Sequence, residues 1–148
     1  GETLTAKLTG TITIASSAPG LYSINSDGAG VAAADAFIIT ASTQIVNQTV
    51  FTCHPPAARS CLGSPLSLGA PTDTLYVALY GTGIRGATSV QGFVAGESVS
   101  VQYAGPASFP GLDQVNISIP KSLSGSGDVR VYIVADGVAS NVVGLTLQ

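Results

Sequence analysis

The chain has no methionine, no tryptophan, one histidine and two cysteines in 148 residues. A lone His54 removes the acid–base and metal constellations that are built on imidazole pairs, and no Gly-x-Ser-x-Gly elbow is present to activate a serine. Only 9% of residues are charged, and the five basic ones, Lys7, Arg59, Arg85, Lys121 and Arg130, are scattered along a chain of net charge −3. They cannot line a groove for a nucleic-acid backbone. The longest apolar runs, such as Ile38-Ile39 and Val142-Val143, fall far short of the ~20 residues that span a bilayer as a helix. The carboxylates Glu2, Asp27, Asp35, Asp73, Glu97, Asp113, Asp128 and Asp136 lie mostly beside glycines or at strand ends, where turns use them. No acid–base pair can be nominated, so the reading is non-enzymatic, with no cofactor.

What is present is strand and turn chemistry. Hydrophobic residues, Val and Ala prominent among them, make up 45% of the chain and glycine contributes 18 residues, with Thr and Ser making up much of the rest, a mixture that suits sheets joined by tight turns. A chain of this length is one domain that buries roughly 70% of its unfolded surface. It begins at Gly1, which suggests a mature form after removal of a secretory signal, or a piece of something longer. Cys53 and Cys61 flank a short segment with Pro55 and Pro56, and are expected to form a disulfide in an oxidising compartment. Closing so small a loop stabilises by roughly 2.5 kcal/mol in the chain-entropy picture.

Residues 75–86, Leu-Tyr-Val-Ala-Leu-Tyr-Gly-Thr-Gly-Ile-Arg-Gly, read as a central strand running into a glycine-rich corner. Leu75, Val77 and Leu79 share one face and Tyr76, Ala78 and Tyr80 the other, and both faces are expected to be covered. Val90–Val94 and Glu97–Tyr103 form a hairpin through Ala95-Gly96. Val115, Ile117 and Ile119 alternate with polar residues up to Pro120, and 129–135 and 138–147 meet at Asp136-Gly137, a favoured hairpin turn. The fold class is all-β: an Ig-like antiparallel β-sandwich with a long N-terminal strand extension.

That extension is residues 3–14. Leu4, Ala6, Leu8, Gly10, Ile12 and Ile14 alternate with Thr3, Thr5, Lys7, Thr9, Thr11 and Thr13, and at ~3.3 Å per residue the segment would reach roughly 40 Å. Ala15-Ser-Ser-Ala-Pro-Gly20 ends it. The chain therefore divides into a donor-type strand and linker, 1–17, and a sandwich, 18–148.

Several motifs carry a resemblance: Ala18-Pro-Gly-Leu-Tyr22, Ser26-Asp-Gly-Ala-Gly-Val31, Thr72-Asp-Thr-Leu-Tyr76, Leu79-Tyr-Gly-Thr-Gly-Ile-Arg-Gly86, Tyr103-Ala-Gly-Pro106, Gly111-Leu-Asp-Gln-Val-Asn116 and Pro120-Lys-Ser-Leu123. In this order they resemble an uncharacterised Ig-like C-terminal domain family of secreted acidobacterial proteins. The resemblance runs from Ala18 onward and implies a sandwich outside the cell, usually placed after other modules, with no catalytic residues. In that family the segment before Ala-Pro-Gly resembles the closing strand of the preceding domain. Here it would be a strand without its own sandwich.

Such a strand suits addition to a neighbouring subunit, with backbone bonds for affinity and alternate side chains for pockets. The expectation is a surface filament, pilus-like in principle, of a secreted structural protein whose partners are other copies of itself. The competing arrangement pairs the strand within its own domain. The alternative function is a terminal spacer or glycan-binding module, for which Tyr103, Phe109, Asp113 and Gln114 form the one polar and aromatic loop dense enough to hold a sugar. Metal is not expected, because Cys53, His54 and Cys61 supply three ligands where a structural zinc site wants four. Gly81-Thr-Gly83 lacks the helix that a phosphate loop needs, and one threonine-faced strand does not make an ice-matching surface.

Overall fold

Leu75, Val77 and Leu79 are fully buried in the centre of a sheet, as their alternation requires. The computed structural model describes residues 9–12, 15–54 and 60–148. In chain order the strands are β1 (Gly20–Leu21), β2 (Ala34–Ile39), β3 (Ile45–Gln48), β4 (Phe51–Cys53), β5 (Cys61–Gly63), β6 (Pro65–Leu66) and β7 (Thr74–Thr82). There follow β8 (Val90–Val94), β9 (Glu97–Val99), β10 (Val101–Pro106), β11 (Asp113–Ile119), β12 (Gly127–Ala135), β13 (Val138–Ala139) and β14 (Val143–Leu147). A 3-10 turn, Lys121–Leu123, follows Pro120, whose ring ends β11.

One sheet has the order β10-β11-β7-β2-β3, and the other β6-β14-β12-β8-β9. Gly81 pairs with Asp113 on one side of β7, so β1, which also pairs with Gly81, must continue the β2 side of that strand. Among the described residues the strands pair antiparallel except β6 with β14, and a single parallel bridge joins Val31 to Gly144. Leu75, Val77, Leu79, Val115 and Ile117 of the first sheet share one core with Val94, Val131, Ile133, Leu145 and Leu147 of the second. Fully burying one such side chain is worth about 1.5–3 kcal/mol, so the two inner faces supply the main drive to fold. The molecule is an Ig-like β-sandwich.

Three extended runs are broken by the need to serve two layers. Residues 97–103 do not make one strand: β9 stays beside β8, and after Ser100 the chain crosses to the other sheet as β10. Ser118 donates its amide to the Ser100 carbonyl at 3.0 Å and so fixes the crossing. Residues 138–147 divide at Ser140–Val142 into β13 and β14, both beside β12. Residues 45–51 divide into β3, in the main sheet, and β4, which pairs only with β5.

On the tyrosine face of β7, Ala78 is buried while Tyr76 and Tyr80 are half-covered. Tyr76 stacks on its cross-strand neighbour Phe37 with ring centres 5.7 Å apart, and Tyr80 donates its hydroxyl to Asp35 at 2.8 Å. Phe93 and Tyr132 stack in the same way on the second sheet, at 4.9 Å. The two expected hairpin turns form through left-handed pairs, Ala95 (φ 53°) with Gly96 (84°) and Asp136 (49°) with Gly137 (84°). That geometry matches the strand twist. Cys53 and Cys61 are joined in a disulfide across the β4–β5 pair. Among the described residues no helix is long and apolar enough to cross a membrane.

Candidate functional site

The incoming chain is received at the corner after β7. A side chain at Gly81 would overlap the Gly20 carbonyl oxygen, one at Gly83 the Ala18 carbonyl, and one at Gly86 the Ser16 carbonyl. The three glycines thus form a bare track on which the backbone of residues 16–20 lies. Gly83 also needs its left-handed φ of 71°. The Ala18 amide donates to the Gly83 carbonyl at 2.9 Å, and buried Ser17 donates its hydroxyl to Ala135 at 3.4 Å. The sandwich therefore takes hold of the chain by Ser16–Ser17.

Asp113 holds the corner from behind. It is only 1% exposed, and its Oδ2 accepts the amides of Ile84 at 2.7 Å and Arg85 at 3.1 Å. Its Oδ1 accepts Arg85 Nε at 2.5 Å, while Arg85 Nη2 donates to the Leu112 carbonyl at 2.8 Å. Burial pushes the Asp113 carboxyl up, but the two amides and the guanidinium together outweigh it and hold the carboxyl below its ordinary value.

Of the donor-strand residues, Leu4, Ala6, Leu8 and Ile14 lie outside the described residues. Gly10 and Ile12 are described: Thr9–Ile12 belong to no strand, all four are exposed, and Ile12 is 90% exposed. Of the four sugar-loop residues, Tyr103 and Gln114 line one open depression with Pro106, Ser108 and Asn116, and the other two stand away from it. Asp113 points inward to the corner. The Tyr103 hydroxyl donates to the Pro106 carbonyl at 2.6 Å, with its ring laid over Gly105. Gln114 donates to Asn116 at 2.7 Å. Phe109, 69% exposed, stands apart at the loop tip.

Among the other described carboxylates, Asp73 and Asp136 fasten turns and Asp128 ties β12 to β14. Asp73 accepts the amides of Ala41 and Ala70, Asp136 those of Thr88 and Ser89, and Asp128 the hydroxyl of Thr146. No group of three metal-ligating side chains occurs among the described residues. Sequence reasoning missed three carboxamide clamps, in each of which one side chain pairs with both the N–H and the C=O of a remote residue: Asn25 with Cys61, Gln48 with Ser67 and Asn141 with Leu21. It also missed that β3 is an edge strand with Ile45 66% and Val46 48% exposed.

These features define a β-sandwich with a glycine track for its own N-terminal segment. No protein-family model, curated protein or solved structure matches the chain.

Proposed function

We propose that this is a non-enzymatic extracellular structural protein in which residues 3–14 of one copy pair with a neighbouring copy, building a surface filament. The observation that carries this reading is the state of Thr9–Ile12. In a segment of unbroken alternation these residues take part in no strand of their own domain, and Ile12 is 90% exposed. Leaving an isoleucine in water forgoes about 1.5–3 kcal/mol that a partner's groove would recover. An exchanged strand is a heterologous contact, and repeated copies of it grow a filament unless the ring closes. The disulfide and the resemblance to secreted acidobacterial Ig-like domains support a place outside the cell.

The test is negative-stain microscopy with light scattering on the intact chain and on a version lacking residues 1–15. Filaments in the first sample, none in the second, and short capped species on adding the free peptide are expected. Stable monomers in both samples would overturn the reading. In that event the protein is a terminal spacer or glycan-binding module. Tyr103, 42% exposed on β10, and Phe109, exposed in the loop that follows, are the aromatic surface that favours the glycan form of that reading, and polysaccharide binding that is lost in Phe109→Ala would establish it.

A further inference from the structure

We infer that the free edge of β3, at Ile45 and Asn47, is the acceptor for residues 3–14 of a second copy, an assignment that rests on the strand-exchange reading above. The ladder fixes which groups are free. Thr40 donates its amide to the Gln44 carbonyl, and β2 pairs with β3 as Ile39↔Ile45, Ile38↔Val46, Phe37↔Asn47 and Ala36↔Gln48. Bonded and non-bonded pairs alternate in an antiparallel ladder. Val46 and Gln48 therefore spend their backbone groups on β2, while those of Ile45 and Asn47 point away from the sheet. Tyr80 donating to Ala33 sets the complementary phase on the other side of β2.

The other three terminal strands of the two large sheets carry protection. β10 has a bulge between Val101 and Tyr103 and ends in Pro106. β9 is three residues long and opens with Glu97. β6 is two residues long, begins with Pro65, and its Leu66 carbonyl accepts the Gln148 amide. Bulges, prolines, charges and shortness are the devices that stop a sheet edge from pairing. β3, four residues long, has no bulge, proline or charge, and it exposes Ile45 and Val46 instead.

The chemistry of the two partners matches. Val46 lies opposite Ile38 on the core side of the sheet, so an added strand would set its Leu4-to-Ile14 face beside Val46 and its threonine face beside Ile45. The geometry also favours a second copy. Ile45 sits at the Thr74 end of β7, through Ile39, whereas the N-terminal segment enters at the Thr82 end. At ~3.4 Å per residue the eight steps from Thr74 to Thr82 put these ends roughly 27 Å apart along the strand. Donor and acceptor at opposite ends give head-to-tail growth along the strand direction. β3 is four residues long, so it grips part of the donor and leaves the rest to bridge the two bodies.

The test uses the intact chain. Asn47→Pro removes only an outward N–H, which an edge strand tolerates. It should keep the wild-type melting curve while raising the concentration needed for assembly at least tenfold. Ile45→Lys should act in the same direction, and Gln102→Lys on β10 should not. Amide exchange on wild-type filaments keeps the test decisive should Asn47→Pro fold poorly: the Ile45 and Asn47 amides should be protected at least tenfold more than in dilute monomer. Filaments in which those amides exchange as in the monomer would overturn the β3 assignment and leave strand exchange standing. Protection that persists in a monomer at all concentrations would mean pairing within one chain and would overturn both. Failure of the intact chain to assemble would likewise overturn both.

Discussion

The carboxamide of Asn141 stands in for a strand beside Leu21: its Oδ1 accepts the Leu21 amide at 2.7 Å and its Nδ2 donates to the Leu21 carbonyl at 2.9 Å. The same Nδ2 also reaches the Gly28 carbonyl at 2.6 Å. Leu21 belongs to one sheet and Asn141 to the chain between β13 and β14 of the other. One side chain thus ties the two layers at the end where the N-terminal segment enters.

Asn141→Ala removes three hydrogen bonds and leaves backbone groups without partners. At about 1 kcal/mol for each bond, the expected loss is roughly 2–3 kcal/mol of unfolding free energy in a denaturant titration. A loss below about 0.5 kcal/mol would show that water replaces the clamp.

Asp113 sets an acid limb to stability. Its carboxyl titrates lower folded than unfolded, so its contribution is fully present above the unfolded value of about 3.9 and is lost as pH falls through the folded value. Asp113→Asn should flatten the decline in melting temperature below about pH 4. Asp113→Ala, which strands the Arg85 guanidinium and two amides, should cost about 3 kcal/mol at neutral pH.

Gly83 and Gly137 both have positive φ, at 71° and 84°, yet they should respond differently to alanine. Nothing lies within 4 Å of a side chain added at Gly137, so only backbone strain of about 1 kcal/mol is expected there. At Gly83 the same strain is joined by overlap with the Ala18 carbonyl. Gly83→Ala should cost at least twice as much and should release the Ala18 amide to rapid hydrogen exchange. Equal costs at the two sites would mean that the glycine track does not hold the segment.

Thr43 closes the β2–β3 hairpin at φ 62°, a left-handed position at the end of a three-residue loop where glycine is the usual occupant. A β-branched residue is strained there. Thr43→Gly should raise stability by about 1 kcal/mol, read as an upward shift in melting temperature with the fold unchanged. A fall in stability would mean that the Thr43 hydroxyl, which donates to the Ser42 carbonyl at 2.6 Å, outweighs the strain.

The sequence by itself determined whatever depends on neighbouring residues. Alternation marked Leu75, Val77 and Leu79, and likewise Val115, Ile117 and Ile119, as core, and turn chemistry placed the reversals at Ala95-Gly96 and Asp136-Gly137. Each follows from the two-residue period of a strand or from the φ preference of a dipeptide. The pairing of Cys53 with Cys61 followed from there being only two cysteines. Tertiary structure alone decided where extended runs change partners. Nothing local to Ser100 says that β9 and β10 belong to different sheets, because the break serves pairing with β8 on one side and β11 on the other. The same holds for the site. Asp113 looked like a loop carboxylate beside Tyr103, but its partners Ile84 and Arg85 arrive from 28 or more residues away. The exposure of β3 likewise follows from its being the last strand of its sheet, a fact of strand order that periodicity cannot carry.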